Sequence, residues 1–221
     1  MGVASSSCNS FVYLELGVLP IDFEIEKRQL MFLHRILQLD ETDPVWKTFV
    51  SMKSLHEAGE NNWWTGVNKI VNKYGLSDLG KLKKATKDTF LKKVKRIIME
   101  SAFETLKAEC NGMTKTKTMV YESFAIQDYF LELYPTQARV VFKWRSQTLD
   151  IKSHATHKFQ DSVCRGCKSE IEDPSHIINC GNEEISNIVD VLNLGEKLDD
   201  ITKSELKLAV SRITAFLDRI S

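Results

Sequence analysis

Long apolar runs and helix-breaking residues are scarce in this chain of 221 residues. No apolar run approaches the roughly 18 residues needed to cross a bilayer, and the N-terminus lacks the charged-then-apolar order of a secretory signal. Only 4 prolines and 10 glycines are present, and apolar residues recur at gaps of three and four positions. These features predict a mainly α protein without a membrane span, located inside the cell in the nucleus or the cytoplasm.

The usual signatures of catalysis are also missing. The chain has no recognisable catalytic triad, no glycine-rich loop that would cradle a phosphate, and no metal-ligand pattern with an open position. We therefore expect a protein that is not an enzyme.

Neither sign of charge is in excess, since 30 basic residues balance 30 acidic ones. The basic and acidic residues are nevertheless unevenly distributed along the chain. Basic residues dominate from Lys69 to Lys117, and acidic residues dominate from Glu170 to Asp200. A basic block favours an anionic partner, whereas an acidic segment repels nucleic acid.

The cysteines are few but clustered, with three of the 5 in one short stretch. Cys164, Cys167, His176 and Cys180 form a C-x2-C-x8-H-x3-C pattern. A tight turn at Gly166 would bring the first pair together, and a helix capped by Asp173 would place His176 and Cys180 on one face. The pattern predicts tetrahedral Zn²⁺ in a closed, structural site. The alternative is buried free cysteines beside a surface histidine; His154 and His157 are less favoured as ligands because the set of four is already complete.

The apolar spacing and the capping residues predict a series of helices. We expect helices after Pro20, from Pro44 with Asp43 as N-cap, from Trp63 to Tyr74, a short one after Ser77, a long one from Thr86 to about Cys110, one around Phe124 to Leu133, one after Pro135, and a last one after Thr202. The polar stretch from Met113 to Met119 is expected to be an exposed loop.

These predictions divide the chain into four parts. They are a disordered start (residues 1–10), a helical domain (11–134), a basic helix with a small CCHC zinc knuckle (135–182), and an acidic linker with a C-terminal helix (183–221). The predicted fold is therefore a mainly α helical domain with a zinc-knuckle module near the C-terminus.

Three collinear stretches resemble the C-terminal, post-polymerase region of reverse transcriptases from jockey-like retrotransposons that lack long terminal repeats. The first stretch is Tyr13 to Ile21 (YLELGVLPI), followed by Arg28, Leu33-His34 and Ile36-Leu37. The second comprises Tyr121-Glu122, Gln127 to Tyr129, Phe142 to Ser146 and Thr148 to Lys152. The third is the CCHC motif. The resemblance implies a remnant or a separately encoded copy of the C-terminal region of a retroelement protein.

The chain departs from that family in two ways. It lacks the fingers and palm, whose hallmark is an aromatic-x-Asp-Asp turn, since the only adjacent aspartates are Asp199 and Asp200 ahead of the last predicted helix. The gap between Cys167 and His176 is also slightly longer than in the family pattern. Polymerase activity is therefore not expected from this chain alone.

The basic residues supply the candidate contacts to nucleic acid. They are Lys83, Lys84, Lys92, Lys93, Lys95, Arg96, Lys115, Lys117, Lys143 and Arg145. Trp144 and Phe159 could stack on bases, although a place in the core is the simpler interpretation of both. The hypothesis is a zinc-stabilised module that binds RNA or DNA with low specificity.

The competing hypothesis is a protein-interaction or architectural module in which zinc is purely structural. Its partner would be a protein that contacts the acidic C-terminal segment. The start Met1-Gly2-Val3-Ala4-Ser5-Ser6 also fits a weak N-myristoylation signal at Gly2, with Cys8 as a second acylation site, but this short motif is common by chance.

Overall fold

The computed structural model of the protein describes residues 8–113, 115–116, 119, 121–154, 158–181 and 200–220. The helices in this part of the chain are α1 (Asn9–Leu16), α2 (Ile21–Leu37), α3 (Pro44–Glu57), α4 (Trp63–Lys73), α5 (Leu79–Lys84), α6 (Lys87–Asn111), α7 (Asp128–Glu132), α8 (Pro135–Arg145), α9 (Pro174–Asn179) and α10 (Asp200–Ile220). Outside them, an isolated antiparallel bridge joins Val163 to Ile171. The prediction of a mainly α fold is confirmed.

Local capping explains where several helices begin. The Asp43 carboxylate accepts a hydrogen bond from the Val45 amide, and Pro44 occupies the first helical turn of α3. Asn62 and Thr65 form a reciprocal capping box at the start of α4. The Thr86 hydroxyl accepts from the Thr89 amide at the start of α6. The short helix α5 is capped by Asp78 rather than by Ser77.

The chain forms two compact units. One, called here the middle unit, comprises Leu19–Glu104, and the other, called the split unit, comprises Met1–Val18 with Thr105–Ser221. This division differs from the expected boundaries at 134 and 182, because helix α1 packs with the second half of the chain. No helix in the described part of the chain is long and apolar enough to cross a membrane.

The middle unit has an apolar core formed by α2, α3, α4, α5 and the first part of α6. Phe49 and Trp64 meet edge to face with ring centroids 5.3 Å apart. His34 is buried in this core, where its ring stacks on Phe90 and its Nε2 lies 3.0 Å from the Ala85 carbonyl oxygen. The histidine therefore serves the packing of α2 against the start of α6.

The split unit packs α10 against α8 and α9, and Phe11 of α1 against Phe142 of α8 with ring centroids 5.4 Å apart. Gly17 ends α1 with a φ of 60°, and a Cβ there would lie 2.5 Å from the Ala125 carbonyl carbon. Glycine is therefore required at this turn on both conformational and steric grounds.

Two expectations for residues 113–133 need correction. Thr116 and Met119 are buried, so the stretch expected to be an exposed loop is partly packed, and the Thr116 hydroxyl donates to the Cys110 carbonyl at 2.9 Å. The helix expected around Phe124 to Leu133 is confined to α7, because residues ahead of it form bends rather than a helical turn.

Candidate metal centre and basic surface

The structure brings together the four residues of the CCHC pattern. One ligand atom from each of Cys164, Cys167, His176 and Cys180 lies within 4.8 Å of the others. Among the described residues, these four form the one cluster of possible metal ligands. The cluster could bind a metal ion and could form a zinc site.

The first two cysteines lie on a tight turn. The Cys164 amide donates to the Glu170 carbonyl at 2.7 Å, and the Lys168 amide donates to the Cys164 carbonyl at 2.9 Å. The Gly166 amide points at the Cys164 sulfur, 3.3 Å away. A Cβ on Gly166 would lie 3.0 Å from the Phe216 ring and 3.4 Å from the Cys180 sulfur. A larger residue than glycine would therefore crowd the sulfur atoms and the aromatic ring that surround this position.

The second pair of ligands lies at the two ends of α9. The Asp173 carboxylate accepts from the His176 amide at 2.8 Å, as predicted, and Pro174 occupies the first turn of the helix. His176 follows in that turn, and Cys180 is the C-cap of the helix. A single helical turn therefore determines the separation of these two ligands.

The distances between ligand atoms fit tetrahedral coordination. Zn–S and Zn–N bonds of about 2.3 and 2.0 Å at tetrahedral angles require S···S and S···N separations of about 3.8 and 3.5 Å. The Cys164 and Cys180 sulfurs are 3.9 Å apart, and the Cys167 sulfur is 3.3 Å from His176 Nε2. These two separations fit tetrahedral coordination, and three cysteines with one histidine supply the four ligands that a closed site requires.

Two polar side chains around the cluster act on its ligands. His176 Nδ1 lies 2.8 Å from a Glu170 carboxylate oxygen, a partner that would hold the ring so that Nε2 faces a metal. The Ser169 hydroxyl donates to the Cys167 sulfur at 3.1 Å. Sequence reasoning missed both residues, because neither belongs to the spacing pattern of the ligands.

Hydrogen bonding and burial separate the pKa values of the thiols. Hydrogen bonds from the Ser169 hydroxyl, and then from the Ser169 and Glu170 amides, lower the pKa of Cys167 to about 6. Burial, and then the neighbouring Cys164 and Cys167 sulfurs, raise the pKa of Cys180 to about 11. A positive ion between the sulfurs would stabilise all of them as thiolates.

A buried ion pair supports the turn. The Glu172 side chain is buried, and its carboxylate accepts from the Arg165 guanidinium at 2.6 Å and from the Arg165 and Lys152 amides. Burial alone would raise the pKa of Glu172, but the hydrogen bonds from Arg165 and the two amides keep that pKa below its ordinary value. Arg165 is therefore committed to the structure of the turn.

The remaining histidines and cysteines lie apart from the cluster. His154 is not among the clustered ligands, and His157 lies outside the described residues. Cys110 is buried, and burial, with the neighbouring Cys8 adding to the effect, raises the pKa of its thiol to about 12.

The structure leaves most of the predicted cationic residues at the surface. Exposed side chains are found at Lys83, Lys84, Lys92, Lys93, Lys95, Arg96 and Lys115. Lys143 is half-buried, and Lys117 lies outside the described residues, as do Gly2 and most of the acidic segment. Lys83 and Lys84 belong to α5, and the next four belong to α6.

The expectation that Arg145 contacts nucleic acid is wrong. Arg145 is 1% exposed, and its guanidinium pairs with the fully buried Glu15 at 2.9 Å. Trp144 is likewise in the core at 4% exposure, so it cannot stack on a base. Phe159 is half-buried, with the Arg165 guanidinium 4.8 Å from its ring.

Comparison of the chain with protein-family models, curated proteins and solved structures returns no match.

Proposed function

We propose that the protein is a zinc-stabilised nucleic-acid-binding module, derived from the C-terminal region of a retrotransposon reverse transcriptase and without polymerase activity of its own. The observation that carries this proposal is the set of six exposed cations on α5 and α6, defined here as the basic surface: Lys83, Lys84, Lys92, Lys93, Lys95 and Arg96. Clusters of this kind contact phosphates and bind with little sequence preference.

The cations of α6 lie on overlapping faces of the helix. Lys92 and Arg96 are four residues apart, and Lys95 is three residues from Lys92, so these side chains neighbour each other. Arg96 lies 3.3 Å from Glu100, but both partners are exposed. Exposed pairs of this kind contribute little, and a phosphate can replace the carboxylate at small cost.

Zinc has a structural part in this proposal. The closed CCHC cluster would hold the turn at Cys164 and the helix α9 together, and the resemblance to the retroelement family ends in the same motif. The metal would not take part in chemistry, because three thiolates and one imidazole complete its coordination.

The test is binding to single-stranded RNA, single-stranded DNA and duplex at two salt concentrations. The triple variant Lys92→Glu, Lys93→Glu, Lys95→Glu should weaken binding and flatten the dependence of log K on log salt, by about 0.9 per lost contact for duplex or about 0.7 for single strands. The control is Arg28→Glu, Lys47→Glu, Lys69→Glu, which changes the net charge equally at exposed sites of the same unit.

The control should keep most of the affinity and its salt slope, since only long-range attraction is reduced. The melting temperatures of both variants are measured first, so that a lost fold is not mistaken for a lost contact. If the folded Lys92, Lys93, Lys95 variant retains both affinity and slope, the protein-interaction or architectural role becomes the better explanation.

A further inference from the structure

A groove in the middle unit is lined by both apolar and cationic side chains. It lies between α2 and the segment that joins α5 to α6, and has a volume of about 660 Å³. Its lining residues are Met31, Phe32, His34, Arg35, Gln38, Ala85, Thr86 and Lys87. A volume of this size falls in the range of roughly 300–1,000 Å³ typical of small-molecule sites.

An aromatic ring lines the groove. Phe32 is 48% exposed, although aromatic side chains contribute most when they are buried. Its ring meets Trp63 edge to face, with centroids 5.5 Å apart and an interplanar angle of 79°. This contact restrains the Phe32 ring from one side and leaves much of its surface accessible.

The polar lining residues divide into two groups. His34 Nε2 is bonded to the Ala85 carbonyl, and the Gln38 amide donates to the Lys83 carbonyl at 2.7 Å. The Thr86 hydroxyl accepts from the Thr89 amide, so all three residues are used by the fold. Arg35 and Lys87 are exposed, and no ion pair involves either among the described residues. The lining contains no carboxylate. The groove therefore favours a ligand that is anionic and has an apolar, planar part.

We propose that this groove binds one nucleotide of a single-stranded nucleic acid, with the base stacked on Phe32 and the adjoining phosphates on Arg35 and Lys87. Aromatic side chains beside a cationic track are how sequence-tolerant proteins hold single strands. A duplex keeps its bases stacked inside, so it offers no free base to stack on Phe32. The inference rests on the proposed function and specifies the class of nucleic acid.

The test uses the full-length zinc-loaded protein and three probes of equal length: oligo-dT, oligo-U and a blunt duplex. Phe32→Leu keeps the apolar volume but removes the aromatic ring, whereas Phe32→Tyr retains an aromatic ring. Leu55→Ala is a control at another exposed apolar site of the middle unit. Arg35→Glu is paired with Lys47→Glu, a reversal at an exposed lysine outside the groove.

We expect Phe32→Leu to weaken oligo-dT or oligo-U binding about tenfold or more, with the salt slope and the duplex affinity unchanged. Phe32→Tyr should bind like the wild type, and Arg35→Glu should flatten the single-strand salt slope by about 0.7 more than Lys47→Glu does. Comparison of the two single strands shows whether the 2′-hydroxyl matters.

Two results would overturn the inference. One is a folded Phe32→Leu protein with wild-type affinity for both single strands, and the other is an equal loss for single strands and duplex. If the wild type binds nucleic acid with a salt slope that depends on Lys92, Lys93 and Lys95, only the groove assignment fails. If the wild type binds none of the probes at low salt, the proposed function itself fails.

Discussion

Glu15 is fully buried and is the acceptor for three side chains from distant parts of the chain. The hydroxyls of Tyr121 and Tyr129 donate to its carboxylate at 2.6 and 2.5 Å, and the Arg145 guanidinium donates through Nε at 3.0 Å. Burial, and then the charge of Glu15, raise the pKa of both tyrosines, so they remain donors. A charge enclosed in this way is stable only while every partner is present.

Replacing Arg145 with methionine should therefore destabilise the protein strongly. The change leaves the Glu15 carboxylate buried without a counter-charge, at a cost of about 3–5 kcal/mol in the free energy of unfolding. Urea denaturation measures the loss. Arg139→Met, at an exposed position of the same helix, should stay within about 0.5 kcal/mol of the wild type. A folded Arg145→Met protein as stable as the Arg139 variant would contradict the assigned role.

His154 should make stability depend on pH. Burial, and then the positive charge of Lys115, lower the pKa of His154 to about 4, and its Nδ1 has no hydrogen-bond partner among the described residues. The pKa in the unfolded chain is about 6.5, so below this value the unfolded state takes up the proton more readily. Above about pH 6.5 His154 is neutral in both states and does not lower the free energy of unfolding. As the pH falls from there towards 4, this free energy decreases.

The His154→Gln variant tests this dependence because glutamine does not titrate. Unfolding free energies of both proteins, measured between pH 7 and 4 with the same zinc supply, should show a shallower decline for the variant. Parallel curves would mean that His154 does not titrate differently in the folded and unfolded states.

At the scale of elements, helix starts with local capping signals were predictable. Helices α3, α8 and α9 begin at Pro44, Pro135 and Pro174, and α4 begins at Trp63, as expected from the sequence. The cluster of four possible metal ligands was predictable for the same reason, since a turn and one helical turn determine the spacing of its residues. Signals of this kind involve residues only a few positions apart.

Features that depend on distant partners were not predictable. Helix α1 has no side-chain cap, and Phe11 gains its contact from Phe142, far along the chain. In the sequence, Arg145 is one of several cations in a basic run. Its burial becomes apparent only from its ion pair with Glu15 in the structure. The spacing of residues along the chain contains no information about such pairs.

The cap of α9 should affect metal binding, because that helix presents His176. Asp173→Ala removes the acceptor for the His176 amide and should destabilise the helix by about 1 kcal/mol. Zinc affinity, measured by competition with a chelator, should fall by about fivefold. Asp173→Asn is the matched control, since asparagine caps as well as aspartate and should retain wild-type affinity. Equal affinities for the alanine and asparagine variants would show that the cap does not control the site.

At the scale of the whole molecule, the proposed zinc site concerns one of the two compact units. The four ligands belong to the split unit, where α9 packs against α10 and the Phe216 ring lies against the turn at Gly166. The core of the middle unit is built from residues between Leu30 and Ile98 and contains none of the ligands. Folding of the two units should therefore respond differently to the metal.

Removal of zinc should unfold at least residues 160–182 and leave the middle unit folded. A structural zinc can supply on the order of 10 kcal/mol of apparent folding free energy, because the unfolded chain has no preformed site. Amide hydrogen exchange, followed by mass spectrometry after chelation, should show lost protection around Cys164, His176 and Cys180 and retained protection in α2 and α4. Cys167→Ser should reproduce this pattern without a chelator, whereas Cys110→Ser leaves the ligands intact and should keep its zinc. Carefully purified protein with almost no zinc, or equal protection before and after chelation, would contradict a structural role for the metal.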